Sequence, residues 1–300
     1  MALEDYIFNS NIKKIKIDFP SGCNANCIGC YTHSSEKDPS KKLPLETVRK
    51  VLSDASEIGV KQLVIAADGE PLIDKNYFFQ TVEYAKDLGI ETILYTNGSL
   101  VTEDIANKLF NLGTSVLVKR NSMDHDKQNH LLRANLSVPM FEGLENLLKA
   151  GFNSERLAIE SFVSKENYTD LNDVLRYCRK NDILPYFEEF ISLDQEDPEI
   201  KEKMLLSTDK MIEAFKQYQK IDREEFGIDA QVFDESRRYN IPGCSLKQLL
   251  SIDTDGNVKK CILNEPYGNV YQNNLKEIYG RIPNSCNGCS NIVKVNSEQH

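Results

Sequence analysis

The chain has 300 residues, 40% of them hydrophobic, and carries 46 acidic against 36 basic side chains for a net charge of -10. That length can bury one large core with a small appendage, and the acidic balance would repel a phosphate backbone, so nucleic acid is not an expected partner. No apolar run is long enough to span a bilayer and the opening residues lack a signal-peptide core, so a cytoplasmic chain without membrane contact is expected.

From about residue 13 short β-rich runs alternate with longer stretches of helical periodicity, the pattern of βα units around a parallel sheet. Strands are expected at 14–19, 62–66, 92–96, 115–119, 157–162 and 184–190. Helices are expected at 45–58, 77–88, 103–112, 140–149 and 167–180, several of them closed by Gly59, Gly89, Gly113 or Gly151. Six such units predict an α/β fold, a partial (β/α)6 TIM-like barrel over residues 1–195. The charged segment 196–230 reads as an exposed linking helix. Residues 231–300 read as a small cysteine-rich domain that opens with a hairpin at 249–262 about Asp255-Gly256, a dipeptide that accepts the backbone of a tight turn.

Eight cysteines in short spacings argue for metal ligation in a reducing compartment rather than for disulfides. Cys23, Cys27 and Cys30 form a C-x3-C-x2-C run directly after the first strand, where a barrel places its chemistry. Three thiolates can bind three irons of a cubane and leave the fourth iron open to a small molecule. They can also contribute to a closed zinc site, with His33 as a fourth ligand. Near the end, Cys244 and Cys261 bracket Gly256 in the order C-x11-G-x4-C, and Cys286-x2-Cys289 follows. Four thiolates suit either zinc or a fully ligated iron–sulfur cluster. Cys178 is left over, on the apolar stripe of a helical stretch, and reads as a packed core residue.

The cysteine run in the first βα loop, together with further landmarks in chain order, resembles the radical S-adenosylmethionine superfamily. Asp68-Gly69-Glu70-Pro71 is similar to that family's Gly-Gly-Glu-Pro motif, Tyr95-Thr96-Asn97-Gly98 to its third strand end, and Ser122-Met123-Asp124 to its Ser-Leu-Asp strand end. The resemblance implies a [4Fe-4S] cluster on Cys23, Cys27 and Cys30 with S-adenosylmethionine on the open iron, cleaved reductively to a 5′-deoxyadenosyl radical. It implies that Glu70 receives the cofactor's amino group, that Gly69 allows close backbone approach, and that Asn97 and Ser122 line the cofactor site. Arg133 is expected on the cofactor carboxylate, a role suited to a planar guanidinium. Gly29 stands where many relatives carry an aromatic residue, so Tyr31 is the expected replacement surface.

The C-terminal order resembles the SPASM and twitch extensions of that superfamily. It implies an auxiliary [4Fe-4S] cluster on Cys244, Cys261, Cys286 and Cys289, in the twitch form because no further cysteines follow. A flavodoxin or ferredoxin is the implied electron donor. Strand-end residues of a barrel face its reaction chamber, which makes Lys119, Glu160, Glu188 and Glu189 candidates for substrate contact. Three of these four are acids, which suits a small substrate bearing amines and hydroxyls, such as an amino sugar or aminocyclitol, oxidised or epimerised at a C–H. Modification of a ribosomally made peptide is the alternative, although only 22 residues precede Cys23, which leaves little room for an internal leader-binding module. A zinc-stabilised binding module without catalysis is the third reading.

Overall fold

A computed structural model describes residue 3 and residues 13–19, 22–30, 32–38, 40–66, 69–190, 198–229, 249–260 and 265–282. The six expected units are present. Strands β1 (Lys14–Ile17), β2 (Gln62–Ile65), β3 (Glu91–Thr96), β4 (Ser115–Lys119), β5 (Leu157–Val163) and β6 (Leu184–Glu189) run parallel and pair in sequence order. Each is flanked by helices: α1 (Leu45–Glu57), α2 (Lys75–Asp87), α3 (Glu103–Leu112), α4 (His125–Leu132), α5 (Ser137–Lys149) and α6 (Leu171–Lys180). The sheet does not close, since β6 ends one edge and β1 pairs on its far side with a later strand.

Two apolar layers explain this arrangement. Outward-facing strand residues such as Ile15, Ile65, Leu94, Val118, Ile159 and Phe187 bury against the helices in one large cluster. Inward-facing residues Val64, Ile93, Leu117, Ala158 and Leu184 form a second, smaller cluster with Leu3. Strands covered on both faces read as nearly continuous apolar runs, as parallel strands do. Helix starts are fixed by side chains that accept orphan backbone N–H groups: Asp74 from Tyr77, Thr102 from Ile105 and Asp124 from Lys127. Helix α4 was not expected, because its face is polar and short. It exists through the Asp124 cap and ends at Arg133, whose φ of 48° breaks the helical path.

The segment expected as one exposed linking helix holds two, α7 (Pro198–Met204) and α8 (Thr208–Phe226). Helix α8 buries Met211, Ala214, Phe215, Tyr218 and Ile221, and Tyr218 packs edge-on against Phe187 of β6 with ring centroids 5.2 Å apart. Charge at its other positions masked this apolar stripe. The C-terminal hairpin, β7 (Leu249–Ile252) and β8 (Asn257–Lys259), turns where expected, with Gly256 at φ 81°. Strand β7 runs parallel to β1, with Lys14 opposite Leu249, and β8 and β9 (Gly268–Asn269) extend the sheet. A last helix, α9 (Leu275–Arg281), touches α1, where Asp54 accepts the Leu275 N–H.

Asp222 of α8 is fully buried and accepts two hydrogen bonds from Arg179 of α6, at 2.8 and 2.7 Å. Removing one partner of such a pair strands the other charge in a poorly solvated place. Asp222→Ala is expected to lower the unfolding free energy by roughly 3–5 kcal/mol, measured by denaturant titration.

Candidate active site

The Cys23–Cys30 loop leaves β1 and is fixed by backbone hydrogen bonds on two sides. On one side Gly22 bridges to Gly69, with the Glu70 N–H donating to Gly22 O at 2.9 Å. A Cβ on Gly69 would lie 2.0 Å from that oxygen, so the expected close approach at Gly69 is here an approach of chain to chain. On the other side Asn26 and Ile28 donate to the carbonyls of Leu132 and Leu131 at the end of α4, at 3.0 and 2.9 Å. Arg133 follows directly, exposed beside the loop.

Cys23, Cys27 and Cys30 are free thiols near enough to influence one another's ionisation. Burial first, then the two neighbouring thiols, pushes Cys27 up to about 12, so binding a cation here must displace bound protons. Among the described residues no three His, Cys, Asp or Glu side chains converge closely enough to hold one bare metal ion. A cubane asks for less convergence, because each thiolate ligates its own iron. His33, the fourth ligand that zinc would recruit, is exposed. The donor set is three thiols on one loop, and it fits a cluster with one iron free of protein.

Glu70 is almost fully buried and ties two strand ends together. Its carboxylate accepts from the Leu72 N–H at 3.1 Å, the Thr96 hydroxyl at 2.7 Å and the Asn97 N–H at 2.7 Å. Burial raises its carboxyl against the pull of these three bonds. Asn97 in turn donates to Asn24 of the cysteine loop at 2.8 Å and bonds the Cys23 sulfur. The two expected cofactor residues are therefore also the joint between β2, β3 and the loop.

Ser122 lies beyond the last paired residue of β4, 1% exposed, with its hydroxyl accepting the Asp124 N–H. The side chain that β4 turns inward at its end is Lys119. Register places Lys119 opposite Glu160 of β5, and Glu160 opposite Tyr186 of β6, with Glu188 two residues further on the same face. Lys119 Nζ lies 3.0 Å from Glu160, and the Tyr186 hydroxyl donates to Glu188. Burial raises the Glu160 carboxyl well above the usual range and Glu188 adds to this, while Lys119 opposes it. Burial would lower Lys119, but Glu160 and Glu188 outweigh it and hold the ammonium charged. Beyond this pair the strands are bridged by Asn121, which accepts the Phe162 N–H, and Asn167, which donates to Asn121 O and Phe162 O.

The inward face of β1 carries basic residues as well. Lys14 and Lys16 face inward too, in register with Gln62 and Val64, and Lys16 pairs with Asp18 at 2.6 Å. Burial lowers Lys14 to about 8. Alternation along β1 held this signal, since Ile15 and Ile17 face the helices. Phe190 was also missed: its ring fills the space where a side chain on Gly29 would stand, 2.4 Å from an added Cβ. Cys178 is buried in the core as expected. Tyr31, Cys244, Cys261, Cys286 and Cys289 lie outside the described residues, as does the side chain of Glu189. Among the described residues no helix is long and apolar enough to cross a membrane.

An open sheet built on six parallel strands, with three thiols in its first loop and charged strand ends above, has the architecture of a partial barrel with a candidate metal-cluster loop at its mouth. A family model described as the Radical SAM superfamily matches residues 17–178, and the chain belongs to that superfamily. Membership implies a [4Fe-4S] cluster and S-adenosylmethionine as its cofactors. A protein of Methanococcus aeolicus named probable GTP 3′,8-cyclase is 24% identical over 271 residues, 86% of this chain and 88% of that one. The AdoMet-dependent heme synthase of Methanosarcina barkeri is 29% identical over 180 residues, 58% of this chain but 49% of that one. Among solved structures, anSMEcpe with bound AdoMet superposes with a TM-score of 0.73 at 19% identity, covering 89% of this chain and 80% of that one. SuiB of Streptococcus suis bound to S-adenosylmethionine gives 0.70 at 17%, covering 92% and 68%. These likenesses show the same fold.

A methyl group at Gly69 has no room against Gly22. Gly69→Ala is expected to unseat the loop, reducing iron and sulfide bound after anaerobic reconstitution while the far-ultraviolet circular dichroism is retained.

Proposed function

We propose that this radical S-adenosylmethionine enzyme dehydrogenates a small polar substrate at a carbon bearing a hydroxyl or amine, with Glu160 as the proton acceptor. The observation that carries the reading is the inward-facing set Lys119, Glu160, Glu188 and Tyr186 at three adjacent strand ends. A buried carboxyl with its affinity for protons raised toward working pH is the form a general base takes. The bound cofactors would supply a 5′-deoxyadenosyl radical, which ends as 5′-deoxyadenosine after gaining a hydrogen atom. Glu160 then takes the proton from the hydroxyl or amine of the substrate radical. The remaining electron needs an acceptor, the role expected of an auxiliary [4Fe-4S] cluster on Cys244, Cys261, Cys286 and Cys289. One hydrogen atom, one proton and one electron leave, and a carbonyl or imine remains.

Lys119 orients Glu160 and partly offsets the rise that burial gives its carboxyl, and it presents a donor of its own to a hydroxyl or carboxylate. Lys119 sets a cation beside the acids of the chamber, so a substrate with groups of both kinds suits it. An amino sugar or aminocyclitol offers these, and a flavodoxin- or ferredoxin-type protein is the proposed source of reducing electrons. A second reading, a purine nucleoside triphosphate as substrate, draws on the relative named probable GTP 3′,8-cyclase, aligned over 86% of this chain.

Anaerobic incubation with deuterated amino sugars or aminocyclitols, and separately with GTP, tests both. Deuterium in 5′-deoxyadenosine from the first set supports dehydrogenation, whereas turnover of GTP alone overturns it. Since Glu160 acts as a base only when deprotonated, activity should be lost as pH falls through its raised range. Glu160→Gln should cut product formation by about 100-fold or more while label transfer to 5′-deoxyadenosine persists.

A further inference from the structure

The three thiols that hold the radical-generating cluster do not share their hydrogen-bond donors equally. Cys27 is the most buried of them. Cys23 receives the Ala25 N–H at 3.5 Å and the Asn97 side chain. The Thr32 hydroxyl lies 3.3 Å from the Cys30 sulfur, while the His33 N–H donates to the Cys30 carbonyl at 3.1 Å. Thr32 is bonded again, hydroxyl to hydroxyl, with Ser34, which is 3% exposed.

The direction of this chain of contacts follows from proton counting. A thiolate that ligates iron carries no proton and can only accept. The single Thr32 hydroxyl proton must therefore point to Cys30, and Ser34 must donate to Thr32. Each hydroxyl polarises the next, so the bond that reaches sulfur is stronger than an isolated one. Hydrogen bonds to ligand sulfurs withdraw charge from a cluster and favour its reduced, more negative state, and they are among the terms that set its potential.

We propose that Ser34 and Thr32 form a two-hydroxyl relay onto Cys30 that raises the reduction potential of the S-adenosylmethionine-binding cluster, easing its reduction before cofactor cleavage. Neither residue belongs to the cysteine run or touches the substrate chamber: both are positioning residues that act through the Cys30 sulfur. The inference rests on the chain's membership of the superfamily and is independent of which substrate is oxidised.

The test is a potentiometric titration of the anaerobically reconstituted full chain, following the electron paramagnetic resonance signal that responds to S-adenosylmethionine. Thr32→Val, which keeps the branched shape and loses the hydroxyl, should shift the midpoint to a more negative value. Thr32→Ser, which keeps the hydroxyl, should stay at the wild-type value, and Ser34→Ala should shift in the same direction as Thr32→Val by a smaller amount. Equal midpoints in wild type and Thr32→Val, or an equal negative shift in Thr32→Ser, would overturn the proposal. Where Thr32→Val does not retain its cluster, Ser34→Ala decides, because it leaves the Thr32 hydroxyl in place: a negative shift supports the relay and an unchanged midpoint refutes it.

Discussion

Backbone, more than side chain, holds the cysteine loop in register with the sheet. The Gly22 carbonyl and the Glu70 N–H meet at 2.9 Å across a contact too close for any Cβ at Gly69, and two further backbone bonds tie Asn26 and Ile28 to α4. Backbone contacts of this kind leave a loop little freedom, because none of them has a rotamer to change. The thiols then sit at a fixed height over the strand ends, and the buried Glu70 carboxylate locks β2 and β3 beneath them. A radical generated above the sheet can act on a C–H only if the distance between the two is defined, so this seam governs what the chamber can do.

The chamber wall opposes charges in a poorly solvated place. Lys119 and Glu160 face each other across adjacent parallel strands, where burial alone would neutralise either of them. The pairing keeps Lys119 charged, while burial and the nearby Glu188 leave the Glu160 carboxyl with a raised proton affinity. Such a set reorganises little when a neutral or zwitterionic substrate enters, which is how fixed dipoles assist a reaction.

Much of this was legible from the residues. Apolar runs at 62–66, 92–96, 115–119 and 157–162 found their strands to within two residues because a parallel strand buried on both faces leaves an unbroken signal. The cysteine run, Gly69, Glu70 and Asn97 fell together as the resemblance implied, though Glu70 proved to be a structural joint as well. Three features escaped. Helix α4 depends on a cap and not on amphipathy, α8 hides its apolar stripe among charges, and Phe190, some 160 positions away in the chain, packs against Gly29. The inward position at the end of β4 is Lys119, which strand alternation locates, while Ser122 lies buried three residues further on.

Cys23, Cys27 and Cys30 should by themselves hold a cubane with one iron left for S-adenosylmethionine. The most direct measurement uses a variant in which Cys244, Cys261, Cys286 and Cys289 are all replaced by Ala, reconstituted without oxygen and reduced. The account predicts about four irons per chain and a paramagnetic signal that changes when S-adenosylmethionine is added. A chain that binds zinc in their place, or a signal indifferent to S-adenosylmethionine, would contradict it.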